Sequence, residues 1–206
     1  MCVFFEPPPA EDVPEFRIPE IQPWDGPPSL EAGVIVALER IVARSPHAVV
    51  TLPMVRAYRA GCMLEVRVLT RRRDLSPNDW WDLHTATYGF AFRFRGGDTL
   101  PDKLLRCGVR FGDGTKATTL YRHSHRSEDP PAGPLLNWWP ASSGVRGGGG
   151  EVGHGAFGLW LWPLPTAEAF EFAVEWPFGG IEPTFTELDG AAIVAAAARS
   201  ERYWPD

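Results

Sequence analysis

The sequence predicts a mainly β protein, an antiparallel β-sandwich of about eight to nine strands with a C-terminal α-helix packed on one sheet and an extended, proline-rich N-terminal arm. Three observations predict it. Segments such as CMLEVRVLT alternate apolar and polar residues with a period of two, which marks a strand with one buried face. Nine Trp, 21 Pro and 21 Gly among 206 residues favour short extended segments broken by turns over long helices. No stretch shows the strand–helix–strand rhythm of a parallel sheet.

The elements follow in chain order. Residues 1–32 read as an acidic arm: Pro7–Pro9 and the PWDGPP around Trp24 have no helical or strand period. Phe4, Phe5, Phe16, Ile18, Ile21 and Trp24 are nonetheless apolar enough that part of the arm is expected to pack on a single domain spanning 33–206. Val34, Val36 and Leu38 alternate in a β-branched stretch, which predicts a strand there rather than a helix. HAVVTLPMVRAY and CMLEVRVLTRRR then form a hairpin across Ala60-Gly61. YGFAFRFRG sets Phe90, Phe92 and Phe94 against Arg93 and Arg95, and LLRCGVRF sets Leu105, Cys107, Val109 and Phe111 against Arg106 and Arg110. Asp113-Gly114 turns the chain into TKATTLYR. Further strands are expected at LLNWW, GLWLWPL, FEFAVEW and PTFTEL, and Asp189 is a natural N-cap for an Ala-rich helix over 190–200. GLWLWPL is apolar on both faces, so the helix or the arm must cover its second side.

Composition restricts the partners. Net charge is −6 overall, but it divides into −6 over residues 1–33, +8 over 34–126 and −8 over 127–206. A basic middle between acidic ends suits either an anion-binding surface or an acidic arm lying on a basic face. No apolar stretch reaches the roughly 20 residues that span a bilayer, and MCVFFEPPPAED lacks the basic start of a secretory leader. The three scattered cysteines, Cys2, Cys62 and Cys107, suit a reducing compartment. A cytoplasmic protein without a membrane partner is expected.

Four constellations could carry chemistry. Gly148, Gly150 and Gly153 spell G-x-G-x-x-G, but a dinucleotide site needs the glycines to open a helix, and here AFGLWLWPLP follows. A hairpin loop is the expectation, and no nucleotide or other cofactor is implied. His123, His125 and His154 could meet as an open metal site if the YRHSH segment and the glycine loop share one end of the sandwich. Glu171 and Glu175 lie on one face of a strand but roughly 13 Å apart, beyond the reach of a glycosidase pair, and are expected to pair with arginines on a neighbouring strand. Arg67, Arg93, Arg95, Arg106 and Arg110 all alternate outward and could make one positive sheet face. Adjacent tryptophans, Trp80-Trp81 and Trp138-Trp139, point to opposite faces if they lie on strands.

The glycine run, LWLWPLP at Leu159–Pro165, FAVEWPFGGIE from Phe172 and the Ala-rich tail together resemble an uncharacterised family of actinobacterial proteins. The resemblance implies a compact intracellular domain and brings no catalytic residue with it. Eighteen arginines against two lysines fit a GC-rich genome. The sequence points to a non-enzymatic interaction or scaffold module whose partner is another protein or a second copy, with the arginine face and the glycine loop as contact surfaces. Two alternatives stay open: a metal-dependent hydrolase using His123, His125 and His154, and polyanion or nucleic-acid binding through the arginine face.

Overall fold

The computed structural model describes residues 21–87, 99–120, 130–139, 146–148 and 151–204, with 146–148 as backbone. The chain is mainly β; the described residues form antiparallel strands in two larger, packed sheets, with two α-helices. The larger sheet runs in the order β2 (Val34–Arg44), β3 (Ala48–Ala57), β4 (Cys62–Arg71), β9 (Val152–Trp162) and β7 (Leu135–Trp139), with β8 (Arg146–Gly148) also along β9. The smaller has the order β11 (Ile181–Leu188), β10 (Phe170–Trp176), β5 (Arg106–Arg110) and β6 (Lys116–Thr118). A short ladder of β1 (Glu31–Ala32) with β12 (Glu201–Arg202) ties the arm to the C-terminal residues. The expected YGFAFRFRG strand lies outside the described residues.

The core fills the space between the sheets, because each strand turns alternate apolar side chains inward. Leu64, Val66 and Val68 of β4 are opposite Leu159, Phe157 and Gly155 of β9. They meet Cys107 and Val109 of β5 and Phe170, Phe172, Val174 and Trp176 of β10. Trp176 is fully buried and donates its indole N–H to the Lys103 carbonyl at 3.1 Å, so no polar atom of the ring is stranded. Strand β2 is an outer strand, and two register shifts and a left-handed Glu39 (φ 51°) interrupt its regular edge.

Helix α2 (Gly190–Ala197) starts where Asp189 accepts a bond from Ala192 N at 3.0 Å, and it ends before the predicted 200. It packs on β2 and β3 and contributes Ile193, Ala196 and Ala197 to the core. At its Trp160–Trp162 end the second face of β9 is therefore covered by the arm and not by the helix. Trp160 donates its indole N–H to the Pro23 carbonyl at 2.9 Å, Asn137 donates its amide to the Trp24 carbonyl at 3.0 Å, and the Trp24 and Trp162 rings meet edge to face at 6.0 Å.

Helix α1 (Pro77–Ala86) is an element that alternation did not predict. Its start is standard chemistry: Ser76 Oγ accepts from Asp79 N at 3.1 Å, and Pro77 occupies the first turn, where no N–H is needed. Trp80 and Trp81 therefore stand on a helix and not on a strand; Trp80 is half-buried and Trp81 exposed. Trp138 and Trp139 do lie on a strand, with Trp138 turned inward onto Phe157 at 4.3 Å.

Candidate functional site

At the far end of β9 three loops surround an open groove of about 510 Å³. The first is the turn between β5 and β6. Gly114 (φ 86°) donates back to the Phe111 carbonyl at 2.9 Å, and Phe111 N donates to the Thr115 carbonyl at 2.9 Å. The second is the link from β9 to β10, Pro163 to Ala169, which crosses from one sheet to the other and is pinned where Leu164 N donates to the Ala60 carbonyl at 3.0 Å. The third is the approach to β7, with Pro131, Gly133 and Pro134. The prolines fix φ and so hold these walls in one shape. Phe111 and Trp162 are the aromatic members of the lining, and Phe111 is steadied from behind by Phe170 at 5.5 Å.

The ionisable residues of the lining are Asp113 and Glu168, both acids. Thr115 N donates to Asp113 Oδ1 at 2.8 Å, which holds that carboxyl below the usual carboxylate range. Glu168 Oε2 lies 3.8 Å from the position a Cβ on Gly112 would take, so its carboxylate faces the turn between β5 and β6. Neither acid has an ion-pair partner among the described residues.

The arginines separate onto two sheets. Arg106 pairs with Glu175 at 2.7 Å and Arg110 with Glu171, Nε to Oε2 at 2.7 Å, each directly across the β5–β10 ladder, the pairing expected of those glutamates. Arg110 also lies over the Phe185 ring, 4.5 Å from its centroid. Arg67 is on β4 of the other sheet and bonds Glu65, Nε to Oε1 at 2.8 Å. Arg67 thus shares no face with Arg106 and Arg110, because alternation reports which side of a strand a residue takes and not which sheet the strand joins. Arg93 and Arg95 lie outside the described residues. Alternating charges, each neutralised by a neighbour, make a weak field for a polyanion.

The near end of β9 accounts for the glycines. Gly148 lies on β8, opposite Val152, and Gly147 is opposite Gly153, so part of the expected loop is ladder; Gly150 is outside the described residues. Gly153 and Gly155 face inward under α1. A Cβ on Gly153 would overlap His84 Nδ1 and come within 2.8 Å of Thr70 Oγ1, and one on Gly155 would sit 3.1 Å from Thr87 Oγ1. His84 stacks on Trp80 at 5.8 Å. Its Nδ1 and Thr70 Oγ1 are buried without a hydrogen-bond partner among the described residues. Burial first, and the charge of His154 second, push the His84 pKa down.

His154 itself is exposed on the opposite face of β9, across from Leu69. His123 and His125 lie outside the described residues, so the structure shows no meeting of the three. The histidine it does bring near is His84, which sequence reasoning passed over because α1 was unread. Among the described residues no group of three or more His, Cys, Asp or Glu is placed to hold a metal ion. Cys62 and Cys107 are core residues whose thiols burial pushes up, Cys62 to about 12, which leaves little thiolate for nucleophilic chemistry. No helix among the described residues is long and apolar enough to cross a membrane. No family model, no curated protein and no solved structure matches the chain.

Proposed function

We propose that the protein is a cytoplasmic binding module that acts by holding another protein, and that the groove floored by Phe111 and Trp162 is where it does so. The observation that carries this reading is a concave, largely apolar surface of ligand-site volume whose walls are fixed by prolines and which no described residue fills. The other surfaces favour it by contrast. The arm lies over part of the outer face of the larger sheet, and the outer face of the smaller carries the Arg–Glu pairs.

The test is affinity capture from extract of the source cells with the wild-type chain and a Gly112→Trp variant side by side. The indole is placed to fill the groove, since a Cβ on Gly112 meets only Glu168 Oε2 at 3.8 Å. Loss of the wild-type partners by a variant that melts normally supports the reading. An unchanged partner set puts the contact elsewhere, and stoichiometric bound metal with turnover of a hydrolysable substrate would replace binding by catalysis.

A further inference from the structure

We infer that the groove takes an extended, proline-containing peptide segment bearing an arginine; this rests on the binding-module reading and adds the chemistry of the occupant. Three features of the lining select that class. The first is charge. Asp113 and Glu168 are the lining's ionisable groups, both acids, and neither has an ion-pair partner among the described residues. Carboxylates beside apolar surface are costly to desolvate unless the ligand brings a positive group. A guanidinium can hydrogen-bond a lining carboxylate while its plane lies on Phe111 or Trp162, which a compact ammonium does less well.

The second feature is what the walls lack. Pro131, Pro134, Pro163 and Pro165 have no N–H, so the groove offers few donors to a ligand backbone. A strand added to a sheet edge needs a regular row of donors and acceptors, which the loops and prolines of this lining interrupt. A polyproline II segment needs none, because its backbone groups stay solvated while its rings and alternate side chains pack on aromatic surface. The third feature is shape: the groove is open to solvent and not enclosed, which suits a segment passing through a longer chain better than a small molecule buried on all sides.

The chain's own proline-rich stretch is a poor match. PPPAEDVPE belongs to residues 1–33, whose net charge is −6, and acids would be repelled where the groove already presents two. The occupant proposed is a separate, basic chain.

The experiment titrates three synthetic peptides into the isotope-labelled full chain, followed by NMR. They share a Pro-Pro-X-Pro-Pro-X-Pro frame, with X as Arg, Gln or Glu. The Arg peptide is expected to saturate and to shift amides of Phe111–Thr115 and Leu164–Ala169. The Gln peptide is expected to bind at least tenfold more weakly and the Glu peptide not at all. An Asp113→Asn, Glu168→Gln double variant that melts like wild type is expected to lose the same factor for the Arg peptide. Equal affinity of the Arg and Gln peptides overturns the cationic recognition but leaves the groove standing. Equal binding of an Ala-rich helical peptide with two arginines overturns the extended ligand. If no proline peptide binds, the inference is wrong, and the Gly112→Trp capture comparison still decides separately whether the groove is the contact.

Discussion

Strand β9 ends in two opposite ways. Where it begins, at Val152–Gly155, its inward positions are glycines, and α1 closes onto them so tightly that His84 and Thr70 occupy the space a side chain would need. Where it finishes, at Trp160–Trp162 and Pro163, the residues are large or rigid, the chain crosses to the other sheet, and among the described residues the gap stays open as the groove. The two ends are about 35 Å apart along one strand of eleven residues. Small residues allow a neighbouring element to fill the end of a sandwich, whereas rigid ones prevent it; the same strand builds one end for packing and leaves the other for a partner.

The largest effect should come from Trp160, which anchors the open end. It is fully buried, and Trp160→Ala removes the ring under the arm and strands the Pro23 carbonyl. A loss of about 3–5 kcal/mol of unfolding free energy is expected by urea titration, with faster proteolysis within residues 21–30. A loss under about 1 kcal/mol would mean that the arm does not rest on this ring.

The closed end is tested next by Gly153→Ala. The added Cβ overlaps His84 and nears Thr70, so a cost of about 1–3 kcal/mol is expected. Made in a His84→Ala background, the same substitution should cost less by about 1 kcal/mol, since the colliding ring is gone. Equal costs in both backgrounds would place α1 away from Gly153.

These two residues also show how far the sequence could be read. Trp160 sits in GLWLWPL, whose apolarity on both faces announced a covered strand, and the arm was one of the two covers considered. Gly153 gave no such signal. Its reason lies in His84, 69 positions earlier in the chain, on a helix whose Ser76–Pro77 start is present in the sequence but which buries only Leu83 and Ala86 and so shows little apolar period. The groove was equally hidden: Asp113-Gly114 was legible as a turn and Trp162-Pro163 as a strand end, but only the crossing of β9 to β10 brings them together. Alternation fixes a residue's side, and long-range pairing fixes its neighbours.

A smaller effect at the closed end depends on pH. Burial lowers the pKa of His84 below its ordinary 6.5, and His154 adds to this through the sheet. Above pH 6.5 the ring is neutral in both the folded and the unfolded chain, and stability is at its full value. As pH falls below 6.5 the unfolded chain takes up the proton first, so stability drops until His84 is protonated in place. The urea midpoint of the wild type should therefore fall more between pH 7.5 and 5.5 than that of His84→Gln. Identical slopes would show that the ring is not desolvated by α1 packing.

The smallest change in stability belongs to Gly112→Trp, the counterpart of Gly153→Ala at the open end. Gly112 is exposed, its φ lies outside the left-handed region, and a Cβ there meets only the end of a flexible glutamate. Restricting the unfolded chain at such a position offsets the modest crowding of the new ring, so the unfolding free energy from urea titration should move by no more than about 0.5 kcal/mol. Binding of the Arg peptide should nevertheless fall by tenfold or more, because the indole takes the ligand's place. Adding one carbon to a glycine at one end of β9 would then unsettle the fold, while adding a whole indole near the other would leave the fold alone and remove the contact. If Gly112→Trp instead destabilises as much as Gly153→Ala, the groove is filled in solution and the two ends are not different in kind.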